Sequence, residues 1–364
     1  MRNNKIFSRV LAFALAVAML TALVSCGKKK QEVAFELGEQ KITANMYRLW
    51  LSRVKGVYSN AGDDIWDEVN DDGKTYNEVF TGFVTDNAKT FVSAMHLFSE
   101  LELELPKSEI KEIDKTMATL LEERGDGSKS TLNSYLSAYG VNYDILREVY
   151  IIEAKLDYLE EYLYGANGTE KITEEEKAEY YTENYARIKQ IFLYTSNKPI
   201  TDDEGNFTYD TDGNVATRDF TDAEIAAQEK KAEDILGMLS KGENFATLMD
   251  KYSEDKANEQ YPGGYYFTKS SQYVTEVVDL AFELEVGKFA MVKSDYGIHI
   301  ILREELDEGG YAASANADFF TDFEPNLVTI KLSERFSEFK DDIVVHEDVI
   351  AKYNIKNSVV NTSY

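Results

Sequence analysis

Groups able to do chemistry near neutral pH are scarce in this chain. Its 364 residues hold three histidines, His96, His299 and His346, and one cysteine, Cys26. Histidine has the ordinary pKa closest to neutrality and serves as acid, base, ligand or hydrogen-bond pivot. His299 stands in Ile298-His299-Ile300-Ile301, an apolar run after Asp295-Tyr296-Gly297 that predicts a turn and a strand. A histidine there is either core packing or part of a site, and the local pattern leaves both open. His96 falls beside Met95 in a predicted helix. No second His, Cys or acidic pair stands near it at metal-ligand spacing, so it reads as a packing or surface residue. His346, beside Glu347 and Asp348, reads as solvent-exposed. The run Asp210-Thr211-Asp212-Gly213-Asn214 suggests a calcium loop. Such a loop needs Gly at its sixth position and Glu at its twelfth, where this chain has Val215 and Thr221, so the run reads as a turn. No metal and no cofactor is expected.

Cys26 has a different setting. Arg2, Lys5 and Arg9 precede an apolar run from Val10 to Leu23, the pattern of a secretory signal over residues 1–25. The run is short for a membrane span, which takes about 20 residues. Leu23-Val24-Ser25-Cys26 resembles the bacterial lipobox, in which the cysteine becomes the lipidated first residue of the mature chain. Residues 26–31 are then a tether, with Lys28, Lys29 and Lys30 placed to meet anionic headgroups. The expected location is the extracytoplasmic face of the cell membrane, held by lipid on Cys26. A single thiol forms no intramolecular disulfide, so the exported fold must stand on its core. The hydrophobic content of 43% is sufficient for that. The formal net charge of −27 lacks the basic footprint that nucleic-acid binding requires, and no nucleic-acid partner is expected.

The elements that position His299 follow from periodicity and punctuation. Residues 32–170 read as mainly helical after a short strand at 33–37. Thr43 caps a first helix; a second covers 85–103, a third runs from near Ser108 to Gly125, a fourth holds Leu132 to Tyr139, and a fifth covers 143–164. Residues 60–74 read as a loop. Residues 171–306 read as a small unit of helices and strands. Thr173 with Glu176, and Thr221 with Glu224, are capping boxes that each open a helix. Strands are expected at 188–194, 265–267, 289–293 and 298–303, and further helices at 245–252 and 274–284. Residues 195–219 form a polar insertion with a small hairpin around Phe207 to Tyr209. Residues 307–318 read as a linker, Pro325 as the first turn of a helix, and 349–355 as a final strand.

The stretch from Arg187 to Glu304 resembles the parvulin family of peptidyl-prolyl isomerases. The markers, in order, are Gly242 to Phe245 with Leu248; Tyr252-Ser253-Glu254-Asp255; Gly263-Gly264; Ala281-Phe282-Glu283-Leu284 with Gly287; and Tyr296-Gly297-Ile298-His299-Ile300-Ile301. With the lipobox and the helical flanks, the whole chain is similar to the PrsA and SurA type of exported foldase. The resemblance implies an α+β fold: a parvulin-like small sheet with surrounding helices (171–306), inserted in a mainly helical scaffold. That scaffold would be residues 32–170 with the C-terminal segment 307–364 packed back on them. The implied activity is cis–trans isomerisation of X–Pro bonds in unfolded or newly exported polypeptides. No bond breaks in that reaction. The enzyme must stabilise a twisted amide that has lost its resonance, using an apolar grip on the proline ring and preorganised hydrogen bonds.

Carried over residue by residue, His299 matches the family's second histidine, Asp255 its Cys/Asp position, and Ser294 a Ser/Thr of the histidine network. Gln190 stands where a first-strand histidine is expected, and it still donates and accepts hydrogen bonds. The Met and Phe of the proline pocket fall on Tyr273 and Val277, with Phe267 and Phe282 completing the substrate-binding wall. The Asp-Leu-Gly that ordinarily follows the glycine pair is shortened to Tyr265-Tyr266. These departures support a second reading, a parvulin-shaped chaperone with little or no turnover. Asp202, Asp203, Glu204, Asp210 and Asp212 in the loop after the first strand would repel a phosphorylated client.

Overall fold

The computed structural model describes residues 31–204 and 206–362. The expected signal, Cys26 and the three lysines after it lie outside the described residues. The chain divides into two compact units. One holds the described residues up to Thr169 together with those from Leu332; the other is Glu170–Lys331. Residues 307–331, expected to join the C-terminal return, group with the second unit instead. Among the described residues no helix is long and apolar enough to cross a membrane.

In the first unit β1 (Val33–Leu37) and β2 (Gln40–Thr43) form an antiparallel hairpin. The Thr43 hydroxyl then caps α1 (Ala44–Val57). α2 (Tyr76–Glu100) begins well before the residue at which its apolar periodicity becomes clear. Thr75 and Glu78, directly after the polar run 60–74 that reads as loop, form a capping box. Two 3-10 turns, Ser59–Ala61 at the start of that run and Asp63–Asp67 within it, bury Trp66 against Tyr58 and Phe80. α3 (Lys107–Gly125), α4 (Lys129–Leu136) and α5 (Tyr143–Tyr164) follow, and the faces predicted apolar form one core with α1 and α2. His96 packs edge-on against Phe339 with ring centroids 4.9 Å apart.

The second unit opens with α6 (Glu174–Asn184), whose capping box is Thr173 with Glu176. β3 (Ala186–Tyr194) leads into the insertion, which holds β4 (Lys198–Pro199) and β5 (Thr217–Arg218). The insertion is more ordered than a hairpin. Asp202, Asn206, Asp210, Gly213 and Asn214 belong to an eight-residue repeat, Asp202 to Asn206 matching Asp210 to Asn214. In each copy the aspartate accepts two backbone N–H groups: Glu204 and Asn206 for Asp202, Asp212 and Asn214 for Asp210. Ile200, Thr208 and Ala216, eight residues apart, close a ring of backbone bonds. Thr208 N–H donates to Ile200, Ile200 N–H to Ala216, and Ala216 N–H to Thr208, at 2.8–2.9 Å.

α7 (Asp222–Ser240), opened by Thr221 and Glu224, is followed by α8 (Phe245–Tyr252), α9 (Ala257–Gln260), β6 (Tyr265–Phe267), α10 (Thr275–Glu283), β7 (Phe289–Lys293) and β8 (Gly297–Glu304). The strands make one antiparallel sheet in the order β6-β3-β8-β7. Side chains alternate between its faces. Ile191, Leu193, Ile298 and Ile300 face α7 and α8, packing on Ile235, Leu239, Phe245 and Leu248. On the opposite face Ile188, Ile301, Tyr265 and Phe267 pack with Val277, Val278 and Ala281 of α10. The register Phe192↔His299 and Gln190↔Ile301 puts Gln190, Phe192 and His299 on that second face too. Gly264, just before β6, has φ +97°, and a Cβ there would lie 2.2 Å from the Ile188 carbonyl oxygen, so only glycine fits.

α11 (Phe323–Ser337) spans the boundary between the units, and the chain returns to the first. β9 (Val344–Val345) pairs with β1, giving the order β2-β1-β9. The expected strand at 349–355 is instead the short α12 (Glu347–Ile350) and turns. Val349, Ile350 and Tyr353 recur at helical spacing rather than alternating, and Val349 and Ile355 enter the first unit's core. His346 is half-buried rather than exposed. Its backbone N–H donates to Ala34, which sets its ring 3.9 Å from Glu36. Ile355 is fully buried, so Ile355→Ala should cost about 2–5 kcal/mol and lower the urea midpoint followed by circular dichroism. An unchanged midpoint would remove Ile355 from the core.

Candidate active site

β6 pairs with only three residues of β3, Ala186 to Ile188. The rest of that edge of β3 must satisfy its backbone elsewhere. Residues 253–258 do this without being a strand. Ser253 Oγ accepts from Phe192 N–H at 3.1 Å, and Glu254 N–H donates to the Phe192 carbonyl at 2.8 Å. Asn258 Nδ2 donates to the Gln190 carbonyl at 3.1 Å, and the Glu254 carboxylate accepts from Tyr194 N–H at 2.9 Å. This docking carries Asp255 to the side chain of Gln190.

From Asp255 the directions of the hydrogen bonds follow in sequence. Its Oδ2 accepts from Tyr265 Oη at 2.7 Å and from Gln190 Nε2 at 2.8 Å. A carboxylate only accepts, so the amide NH2 of Gln190 must face it. Gln190 Oε1 is thereby turned to His299 Nδ1, 2.9 Å away. Oε1 in turn only accepts, so Nδ1 carries the hydrogen. In a neutral imidazole the lone pair then sits on Nε2, where Ser294 Oγ donates at 2.8 Å. Tyr296 N–H fixes Ser294 Oγ from the far side at 3.2 Å. His299 and Gln190 are each only 2% exposed. Burial pushes the His299 pKa down to about 4, against a weaker upward pull from Glu276 and Asp255, so the ring is neutral at physiological pH. Burial, with the bond to Asp255, pushes Tyr265 well above the usual phenol range.

The four residues carried over from the resemblance as site groups, His299, Asp255, Gln190 and Ser294, therefore lie in one chain of hydrogen bonds. The expected wall residues do not form one surface. Tyr273 reaches the network, its Oη 3.2 Å from Gln190 Nε2, while the residue is 40% exposed. Phe267 is buried beneath it with ring centroids 4.9 Å apart. Val277 departs from expectation. It is fully buried among Ile188, Ile301 and Val278, because its face of α10 points into the sheet rather than at solvent. Phe282 is half-buried, with Lys269 over its ring at 5.7 Å. Two further residues complete the site. Phe192 lies 4.7 Å from the His299 ring, and Tyr265 anchors Asp255. The shortened segment after the glycine pair is the sequence signal for Tyr265, whereas Phe192 meets His299 through the β3–β8 register, which no local pattern encodes.

His299 binds a proton near pH 4 when folded and near 6.5 when unfolded. Between those values the unfolded chain holds more protons, so this group's stability contribution is full above pH 6.5 and is lost as pH falls toward 4. Urea titrations at pH 7 and pH 4.5 should show His299→Gln losing less stability over that interval than wild type, by up to about 3 kcal/mol. Equal acid sensitivity would contradict a buried neutral imidazole.

Residues 173–305 match the family model described as a PPIC-type PPIASE domain. Foldase protein PrsA of Caldanaerobacter subterraneus subsp. tengcongensis is 30% identical over 307 residues, 82% of this chain and 83% of that protein. Foldase protein PrsA of a Geobacillus species is 38% identical over 85 residues, 23% of this chain and 31% of that protein. The crystal structure of peptidylprolyl isomerase PrsA from Bacillus cereus aligns over 83% of this chain and 95% of that one, with 20% identity and a TM-score of 0.29. By the identity and reach of the first of these relatives, the chain belongs to the PrsA foldase family.

Proposed function

We propose that this protein is a lipid-anchored foldase on the extracytoplasmic face of the membrane that isomerises X–Pro bonds in newly exported, unfolded polypeptides. The observation that carries this reading is the directed network Asp255–Gln190–His299–Ser294. Uncatalysed X–Pro exchange takes tens to hundreds of seconds because the amide must give up its planarity. Dipoles already fixed in place stabilise a twisted amide without reorganising during the reaction. Here every donor and acceptor is oriented before a client arrives. Neutral His299 holds Ser294, and Gln190 holds both His299 and the exposed Tyr273. The PrsA relatives support the client class, and Leu23 to Cys26 supports the anchor. The units read as a foldase scaffold from the two ends of the chain, with the isomerase unit between them.

One observation favours a second reading, a chaperone with little turnover. Both nitrogens of His299 are already bonded inside the protein, and Val277 offers no surface to a proline ring. Proline-limited refolding of a test protein separates the two. Wild type should accelerate the slow phase in catalytic amounts, and His299→Ala should reduce that acceleration by about 10²-fold or more. No acceleration, with aggregation still suppressed, would sink the isomerase reading in favour of the chaperone. For the anchor, Cys26→Ala should move the protein from the membrane fraction to the soluble one, since the acyl chain supplies the hydrophobic attachment. Retention of the variant on membranes would exclude lipidation at Cys26.

A further inference from the structure

A groove of about 1000 Å³ opens beside the segment that carries Asp255. Its apolar walls are the rings of Tyr194, Phe207, Tyr209 and Phe220. Phe207 and Tyr209 come from the eight-residue repeat and are 39% and 65% exposed. Exposed rings gathered round one concavity mark a binding surface, as scattered ones do not. The charged groups inside are largely neutralised. Glu254 accepts from Gln228, Lys231 and the Tyr194 N–H, and Lys198 is bonded to Glu224 at 2.6 Å. Lys256, at the edge, faces Glu259 at 3.9 Å. The repeat loops next to Phe207 and Tyr209 are different. Asp203, Glu204 and Asp212 are exposed there, and residues 195–222 carry carboxylates in large excess over their two cations, Lys198 and Arg218.

The groove lies next to the site, and Ser253, Glu254 and Lys256 of its wall flank Asp255. Tyr194 lies 4.7 Å from Phe192, and Phe192 lies 4.7 Å from His299, all on one face of the sheet. At about 3.3 Å per residue, an extended chain with its proline at Phe192 enters the groove within about three residues. We propose that this groove binds the client segment flanking the X–Pro bond and selects a bulky apolar side chain adjacent to lysine or arginine. The rings receive the apolar group, and the repeat carboxylates attract the cations and repel acidic or phosphorylated stretches. The placement next to the site rests on the isomerase reading; binding in the groove does not require turnover.

The test uses the full-length protein and two labelled, unstructured peptides. Each has a central Ala-Pro and a nearby Phe, with lysines flanking in one and glutamates at the same positions in the other. Fluorescence anisotropy at low salt should give at least about ten-fold tighter binding of the lysine peptide, a gap that shrinks as salt rises. Phe207→Ala with Tyr209→Ala should weaken the lysine peptide about ten-fold. Asp203→Lys with Asp212→Lys, which leaves the rings in place, should abolish the preference. Circular dichroism checks that both variants are folded. Equal binding of the two peptides by wild type, unaltered affinity for the lysine peptide in the folded Phe207→Ala, Tyr209→Ala variant, or an unaltered preference in the folded Asp203→Lys, Asp212→Lys variant overturns the proposal. Isomerisation of the same peptides is followed separately by NMR exchange. Preference without turnover keeps the groove and overturns the isomerase reading; turnover without preference does the reverse.

Discussion

A buried imidazole must find a partner for each of its two nitrogens, and the second unit is arranged around that demand. Leaving one unpaired costs about 1–3 kcal/mol. His299 meets it with Ser294 on one side and Gln190 on the other. Gln190, equally buried, then needs an acceptor for its NH2, and Asp255 supplies it. Asp255 is in reach only because residues 253–258 take over the edge of β3 that the three-residue β6 leaves unpaired. A short strand, a non-strand segment on its continuation and a polar chain beneath are thus one structural solution.

The solution also sets a direction. Because a carboxylate stands at one end, each bond in the chain has only one possible sense, and the hydrogen of His299 is placed on Nδ1. Glutamine at position 190, where the parvulin resemblance leads one to expect histidine, has no proton to gain or lose over ordinary pH. The polarity of the network therefore does not titrate at that position. Tyr265 has a related role. The segment after Gly263-Gly264 is shorter than the resemblance implies, and the tyrosine it brings to β6 is the second donor that holds Asp255.

Much of this was legible in the sequence, for identifiable reasons. The boxes at Thr173 and Thr221 and the cap at Thr43 are local hydrogen bonds written in adjacent residues, and they form as read. The box at Thr75 follows the same rule but was concealed by the polar run before it. The strands holding Gln190 and His299 were marked by apolar runs. Their register, which brings Phe192 against His299, depends on pairing residues more than a hundred positions apart, and no local pattern encodes it. Val277 was misplaced for a similar reason: which face of a short helix meets the sheet is a tertiary decision. The segment 349–355 misled because its β-branched residues suggest a strand, while their spacing and the contacts of Val349 and Ile355 favour a turn of helix. The eight-residue repeat, Asp202/Asp210 and Asn206/Asn214, reads only as a polar insertion with a hairpin, because its ring of backbone bonds joins three segments that look individually like loops.

Asp255 orients Gln190, and Gln190 orients a neutral His299. Imidazole ¹⁵N NMR at neutral pH measures this directly, with only three histidines to assign. His299 should show a protonated Nδ1 and a bare, hydrogen-bonded Nε2. A proton on Nε2 alone, or a doubly protonated ring, would contradict that orientation.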